Sequence, residues 1–320
     1  MGGAVRPPGR IRRLAEELDE LGYGFTGPAA VVEMVLEELD YALHPDVHER
    51  RVPSFGSVVA PRVAPEEWEA PTDLEVVRRR IGSFPLPQAR RFADGLSSWL
   101  VRWPDGSSDS VVFDRAAGSE RDLVVLAEAT GATLLQRHPM GAVRAVGEFG
   151  VLRYDGLAWH HEPPVAGWID TMAACSELGD RNVLNALLTF AVHDLGARGI
   201  GAILVYRPDA DSDAPFQQRL PVPPELHIDR PADLAPLSHA LAQVDGAAVF
   251  DLGGGLRELG VRLVPTPESE AGVAGYRGMR HTAGRRYSSD DPFTTVIVVS
   301  EDGPVTVFRA GEIVGRSERD

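Results

Sequence analysis

The stretch 182–206, Asn-Val-Leu-Asn-Ala-Leu-Leu-Thr-Phe-Ala-Val-His-Asp-Leu-Gly-Ala-Arg-Gly-Ile-Gly-Ala-Ile-Leu-Val-Tyr, decides the fold of the second half of the chain. Val183, Leu184, Leu187, Leu188, Ala191, Val192 and Leu195 recur at three-to-four spacing, which predicts an amphipathic helix over Asn182 to Ala197. Gly199 breaks it. Ala202 to Tyr206 is an apolar run of strand length, so the helix feeds a buried strand.

Downstream of this unit, a polar, Pro-rich loop covers Asp209 to Pro224. Pro231 to Gln243 reads as a helix with Leu234, Leu237, Leu241 and Ala242 inward. Ala247 to Phe250 and Leu256 to Val264 read as two strands joined at Gly253-Gly254-Gly255. That glycine run lacks a following Gly-Lys-Ser/Thr and leads into strand-like sequence, so it is a turn and not a phosphate loop. Met279 to Tyr287 begins a helix. Thr294 to Ser300 and Val305 to Ala310 form a hairpin about Asp302-Gly303-Pro304, with an edge at Glu312 to Val314. Helices and paired strands in this order predict an α/β architecture, a mixed sheet flanked by helices.

The first half reads as a separate α+β domain over residues 1–165, with 166–320 as the second domain. Met1 to Arg10 is Gly/Pro-rich and predicted to be disordered. Ile11 to Leu21 and Pro28 to Leu43 read as helices, and Val52 to Pro71 as extended and turn-rich. Leu74 to Ile81 reads as a short helix, and Gln88 to Trp103 as a helix running into a strand. Strands are expected at Ser110 to Phe113, Thr133 to Gln136, Gly147 to Tyr154 and Leu157 to His161, and a helix at Glu120 to Thr130. Glu162-Pro163-Pro164 marks the boundary.

The chain of 320 residues is long enough for about two domains. Its net charge of −15 disfavours nonspecific attraction to nucleic acid or to an anionic membrane. No apolar run approaches the roughly 20 residues of a membrane span. Cys175 is the only cysteine, which excludes an intrachain disulfide, fits a reducing cytosol and leaves it as a small buried hydrophobe. A soluble cytoplasmic protein is the expectation.

Two short stretches carry chemistry. Asp245-Gly246-Ala247 places a carboxylate in a turn just before a strand. Gly278-Met279-Arg280-His281-Thr282-Ala283 opens a helix, where unpaired backbone N–H groups and a guanidinium fork suit phosphate. A carboxylate near such a site can hold a divalent metal. Other candidates read as structural. His44 and His48 are separated by Pro45 and lack the Glu of a zinc-protease helix, so they belong to a surface loop. His160 and His161 are adjacent on a strand and point to opposite faces. Trp99, Trp103, Trp159 and Trp168 are expected in the core and not in a base-stacking platform.

These stretches carry a resemblance to the diadenylate cyclase (DAC) domain family, the nucleotidyltransferases that join two ATP molecules into cyclic di-AMP. Gly199-Ile200-Gly201-Ala202-Ile203-Leu204-Val205 is similar to the family's Gly-Ala-Leu-Ile-Val strand, and Asp245-Gly246-Ala247 to its Asp-Gly-Ala motif. Gly278 to Ala283 resembles its Gly-Thr-Arg-His-Arg-Ala motif. Thr295-Val296-Ile297-Val298-Val299-Ser300-Glu301 resembles the strand and Ser-Glu pair that follow. The four segments stand in the family's order over about Asn182 to Val314. The domain before them resembles the sensor or regulatory domains the family attaches there.

The resemblance implies a DAC-like fold and an enzyme that makes cyclic di-AMP from ATP with Mg²⁺ or Mn²⁺. It implies Asp245, Arg280 and His281 as catalytic residues, with Asp245 and His281 at the metal. Gly246, Ala247, Gly278, Met279, Thr282, Ser300 and Glu301 would bind nucleotide. The product is nearly symmetric, so two protomers would face each other in a homo-oligomer. Two positions depart from the motif: Met279 stands where the family has Thr, and Thr282 where it has Arg. A hydroxyl and a charge are thereby lost, for which Arg285 or Arg286, a turn further on, can compensate. The departures keep two other readings open, a catalytically silent nucleotide-binding module and a cyclase making a different cyclic dinucleotide.

Overall fold

Leu14, Leu18, Val35 and Leu39 bury one face each of the first two helices, α1 (Pro8–Glu20) and α2 (Ala29–Leu43). The structure, a computed structural model, describes residues 8–47, 49–82, 84–173, 179–209, 216–217 and 220–317. The expectations for Cys175 and His48 fall outside these, as does the disorder expected over Met1 to Arg10 for residues 1–7, whereas residues 8–10 are ordered as the start of α1. The chain divides into two units, Met1–Pro164 and Val165–Asp320.

After α1 and α2 the first unit continues through β1 (Phe55–Val59), α3 (Glu69–Thr72), β2 (Val76–Arg80), α4 (Leu86–Ala89), β3 (Ser98–Arg102) and β4 (Ser108–Phe113). It ends with α5 (Glu120–Thr130), β5 (Thr133–Arg137), β6 (Val143–Gly147), β7 (Gly150–Tyr154) and β8 (Trp159–Glu162). The strands form one sheet in the order β2-β4-β3-β1-β5-β6-β7-β8, antiparallel except for β1 and β3. Alternation sends Phe55, Val59, Leu100 and Leu135 to one face, under α1 and α2. Val58, Trp99, Val101 and Leu134 face the other way, onto Trp68 and the α5 residues Leu123 and Leu126. Within the first of these layers the buried Glu38 receives two hydrogen bonds from Arg90, at 2.9 and 2.7 Å, and a further one from Arg102. Charge pairing of this kind is what allows a carboxylate to be buried.

The structure corrects three expectations in this unit. Leu74 to Ile81 is not a helix: Val76–Arg80 is an edge strand, paired from Val76↔Phe113 to Arg80↔Asp109. Gly147 to Tyr154 is not one strand but the end of β6, a tight turn and β7, with Gly147 opposite Gly150. Gln88 to Trp103 holds only the end of α4 and a single turn of 3₁₀ helix before β3. The four tryptophans divide: Trp99 and Trp168 are buried, whereas Trp103 and Trp159 are half-buried, with their indole N–H groups donating to Asp109 and Glu17.

The second unit runs α6 (Ala166–Ala173), α7 (Arg181–Thr189), β9 (Ala202–Tyr206), β10 (Phe216–Gln217), α8 (Pro231–Leu241), β11 (Ala247–Phe250) and β12 (Leu256–Leu263). It closes with α9 (Pro267–Gly272), α10 (Met279–Asp290), β13 (Thr295–Val299), β14 (Val305–Arg309) and β15 (Glu312–Arg316). The helix begun by α7 continues through a wider π turn, Phe190–Leu195, and a 3₁₀ turn to Arg198. The sheet order is β10-β12-β11-β9-β13-β14-β15, mixed because β9 and β11 are parallel. Leu204, Tyr206, Phe250, Ile297 and Val299 meet α6, α7 and α8 on one face. Ile203, Val205, Val296 and Val298 meet Tyr287 of α10 on the other. Helices therefore cover both faces, as expected of an α/β sheet.

Candidate functional site

Strand direction gathers the motifs at one edge of the second sheet. Ile203 of β9 lies beside Ala247 of the parallel β11, so Gly201 and Asp245 both precede their strands at the same edge. β13 runs antiparallel to β9 with Val299 opposite Ala202, so Ser300 and Glu301 leave the sheet there too. The last residues of β12 reach the same edge, Val261 being paired with Ala247. α10 packs over β13 and β14, and Gly284 permits the approach: a Cβ there would lie 3.0 Å from side-chain carbons of both Val296 and Val298.

The result is a cleft of about 1170 Å³. Asp245, Gly246, Gly278, Met279, Arg280, His281, Thr282, Ser300 and Glu301 all line it. Ala247 does not; it is 1% exposed and packs in the layer beneath α10. Arg262, Glu270 and Arg286 also line the cleft. Sequence reasoning missed Arg262 and Glu270. The Thr266-Pro267 start of α9, where the Thr266 hydroxyl accepts from the Ser269 N–H, is a helix signal that could have found Glu270.

Asp245 is exposed, and its carboxylate has no hydrogen bond among the described residues. Gly246 beside it has φ +113°, and a Cβ there would lie 2.7 Å from the carbonyl carbon of Gly260 and 2.8 Å from the carbonyl oxygen of Val261. The glycine is thus required by the neighbouring strand's backbone. Arg280 donates to Glu301 at 3.0 Å. Both side chains are substantially exposed, so the pair is weak and open to exchange of Glu301 for an incoming anion. Gly201 makes room for it: a Cβ would stand 2.4 Å from an Arg280 terminal nitrogen and 2.8 Å from Glu301 Cγ. Both are ends of flexible side chains. Gly201→Ala is therefore expected to fold normally while weakening the binding of a phosphate-bearing anion at Arg280 by about 10-fold, the worth of one charged hydrogen bond, in a calorimetric titration.

His281 is 8% exposed and packs edge-on against Tyr276 and Phe308, with ring centroids 5.8 and 6.2 Å away. Burial first, and the Arg280 charge second, hold its pKa below the usual histidine range. At neutral pH the imidazole is neutral and keeps a lone pair for a metal or a hydrogen bond. The lowered pKa also has a stability consequence. Above the unfolded value of about 6.5 the contribution is fully present; as pH falls toward the folded value the unfolded chain binds the proton more readily and stability is lost. Thermal melts between about pH 8 and pH 5 should decline less steeply for His281→Gln than for the wild type. Equal slopes would show that His281 is not the group responsible.

Thr282 lines the cleft, but its hydroxyl is already engaged. It accepts from the Tyr276 N–H at 3.0 Å and donates to the Tyr276 carbonyl at 3.1 Å, tying the preceding loop to the helix. Met279 is 91% exposed at the first turn. Gly278 provides no side-chain cap, so the first N–H groups of α10 remain available to an anion. A smaller cleft of about 460 Å³, lined by Gly199, Gly201, Leu241 and Gln243, shares Asp245, Arg280 and Glu301 with the larger one. Among the described residues no group of three or more His, Cys, Asp or Glu side chains gathers to cage a metal alone. The donor set instead fits a hard cation held by one or two carboxylates and completed by phosphate oxygens.

Residues 12–162 match the family model of a probable sensor domain, DACNK, and residues 189–313 match that of the DisA bacterial checkpoint controller nucleotide-binding domain, DAC. No curated protein matches the chain. Among solved structures it is similar to a hypothetical membrane spanning protein from Bacillus cereus. That likeness has 21% identity and a TM-score of 0.37, and covers 47% of this chain and 70% of that one. It is also similar to a double mutant of DacA from Staphylococcus aureus, at 16% identity and a TM-score of 0.29, over 43% of this chain and 87% of that one. No helix among the described residues is long and apolar enough to cross a membrane.

Proposed function

We propose, from the premise that the chain carries a DACNK-type sensor domain followed by a DAC-type nucleotide-binding domain, that it condenses two ATP molecules into cyclic di-AMP and two pyrophosphates. The observation that carries this reading is the single cleft shared by Asp245, by Arg280 and His281, and by Ser300 and Glu301, which are far apart in sequence. Each bond forms between a ribose 3′-oxygen and an α-phosphorus, as the bond from that phosphorus to the pyrophosphate oxygen breaks. Such chemistry rests on positioning and charge neutralisation.

Asp245, exposed and without a hydrogen-bond partner among the described residues, would accept the hydroxyl proton and hold a divalent metal. Arg280 would exchange Glu301 for phosphate oxygens, and the uncapped start of α10 would add backbone donors. His281, neutral and oriented by Tyr276 and Phe308, would contact phosphate or the metal. Mg²⁺ or Mn²⁺, when bound, would polarise the phosphate and neutralise charge on the leaving group. Each protomer would hold one ATP and present it to a second protomer, so the rate should depend on protein concentration. The decisive assay is incubation with ATP and Mn²⁺ or Mg²⁺, followed by chromatography of the products. Absence of cyclic or linear dinucleotide with either metal rejects this reading.

One observation favours a second reading, a silent nucleotide-binding module. The Thr282 hydroxyl serves the Tyr276 loop, and Met279 brings no hydroxyl. Calorimetric ATP binding without turnover at any protein concentration would select it.

A further inference from the structure

The smaller cleft gives the larger one a direction. Asp245, Arg280 and Glu301 line both, and so mark the end where the two meet. Arg262, Glu270 and Arg286 line only the larger. We propose that Arg286, with Arg262 on the strand β12, forms a subsite for a pyrophosphate group, namely the β- and γ-phosphates of the bound nucleotide. This inference rests on the ATP reading of the cleft.

Position and bonding single out Arg286. It lies four residues after Thr282, on the same face of α10, so it restores a cation over the turn where Thr282 has none. Its Nε donates to the Val273 carbonyl at 3.2 Å, which orients the guanidinium. Its terminal nitrogens carry no hydrogen bond among the described residues and remain for phosphate oxygens. Arg285, the next residue back, is occupied: its Nε donates to the Gly311 carbonyl at 2.7 Å, and a terminal nitrogen lies 3.9 Å from Glu312. Arg262 has no ion pair within 4.0 Å among the described residues, and neither has Glu270. Arg280 alone, already shared with Glu301, is a poor match for a polyphosphate on a chain of net charge −15. Two further guanidiniums, free of carboxylate partners, supply the fork donors that a pyrophosphate accepts.

The test is calorimetry with inorganic pyrophosphate and, separately, AMP, on the full-length protein. Wild type is expected to bind both. Arg286→Ala should weaken pyrophosphate about 10- to 100-fold and leave AMP unchanged, with Arg286→Lys in between. Arg262→Ala should act in the same direction, which keeps the test valid if Arg286→Ala does not fold. Wild-type failure to bind pyrophosphate, unaltered pyrophosphate binding in the variants, or an equal loss for AMP would each overturn the subsite. The function reading is judged separately by product formation. Cyclic dinucleotide made by wild type alongside Arg286-independent pyrophosphate binding removes the subsite alone; Arg286-dependent binding without any dinucleotide removes the cyclase alone.

Discussion

Asp245→Asn is expected to lower cyclic dinucleotide formation at least about 100-fold, the usual worth of a positioned acid–base group. The change keeps size and shape, and removes only the charge and the basic oxygen. Asp245 is exposed and makes no hydrogen bond among the described residues, so the fold does not depend on it. The melting temperature should stay close to that of the wild type, since exposed substitutions away from such contacts fall within about 0.5 kcal/mol. Product formation by liquid chromatography, at matched protein concentration and with both metals, measures the effect. A variant that keeps more than a tenth of the wild-type rate would remove Asp245 from the chemistry.

Gly246→Ala acts through stability. The added Cβ would meet the Gly260 carbonyl carbon at 2.7 Å and the Val261 carbonyl oxygen at 2.8 Å, both on the backbone of an adjacent strand. A φ of +113° is strained for any residue with a Cβ. Strain and overpacking together predict a loss of about 3 kcal/mol or more in urea unfolding of the protein. Gly260→Ala offers a contrast. Its Cβ would meet Leu220 and Val244 side-chain carbons at 2.8 and 2.9 Å, and side chains can move aside where backbone cannot. The Gly260 variant should therefore lose less. Equal losses, or a Gly246 loss below about 0.5 kcal/mol, would mean the strands separate more easily than this geometry allows.

The second unit was legible because its elements have strong periods and clear stops. Asn182 to Ala197, broken at Gly199 and followed by Ala202 to Tyr206, reappears as α7 with its extension and as β9. The mixed sheet flanked by helices follows from that order of elements. The first unit was less legible where pairing overrides local preference. Val76–Arg80 looks helical by spacing, yet it is held extended by β4 after the chain turns at Asp73, whose φ is +55°. The Gly147 to Tyr154 run hides a two-residue turn that only Gly150, at φ +97°, betrays.

At the site, the motif order pointed to nine residues that line one cleft, but not to what each does there. Gly246, which the resemblance implies at the nucleotide, lines the cleft and also makes room for the backbone of the neighbouring strand. Thr282, which the resemblance also implies at the nucleotide, lines the cleft while its hydroxyl anchors the Tyr276 loop. Arg262 was invisible because its position depends on the register of β11 and β12, which shifts twice between Ala247 and Phe250.

Met279, one of the two departures from the motif, sits 91% exposed on the lining of the cleft, and the chain has five methionines. Met34 and Met172 are buried, Met140, also exposed, belongs to the first unit, and Met1, outside the described residues, is removed from the spectrum by substitution or assigned by it. Selective ¹³C labelling of methionine methyl groups therefore places a sharp, solvent-averaged NMR signal at the mouth of the cleft. Its chemical shift reads nucleotide occupancy directly, independently of turnover, and Met140 serves as the internal reference.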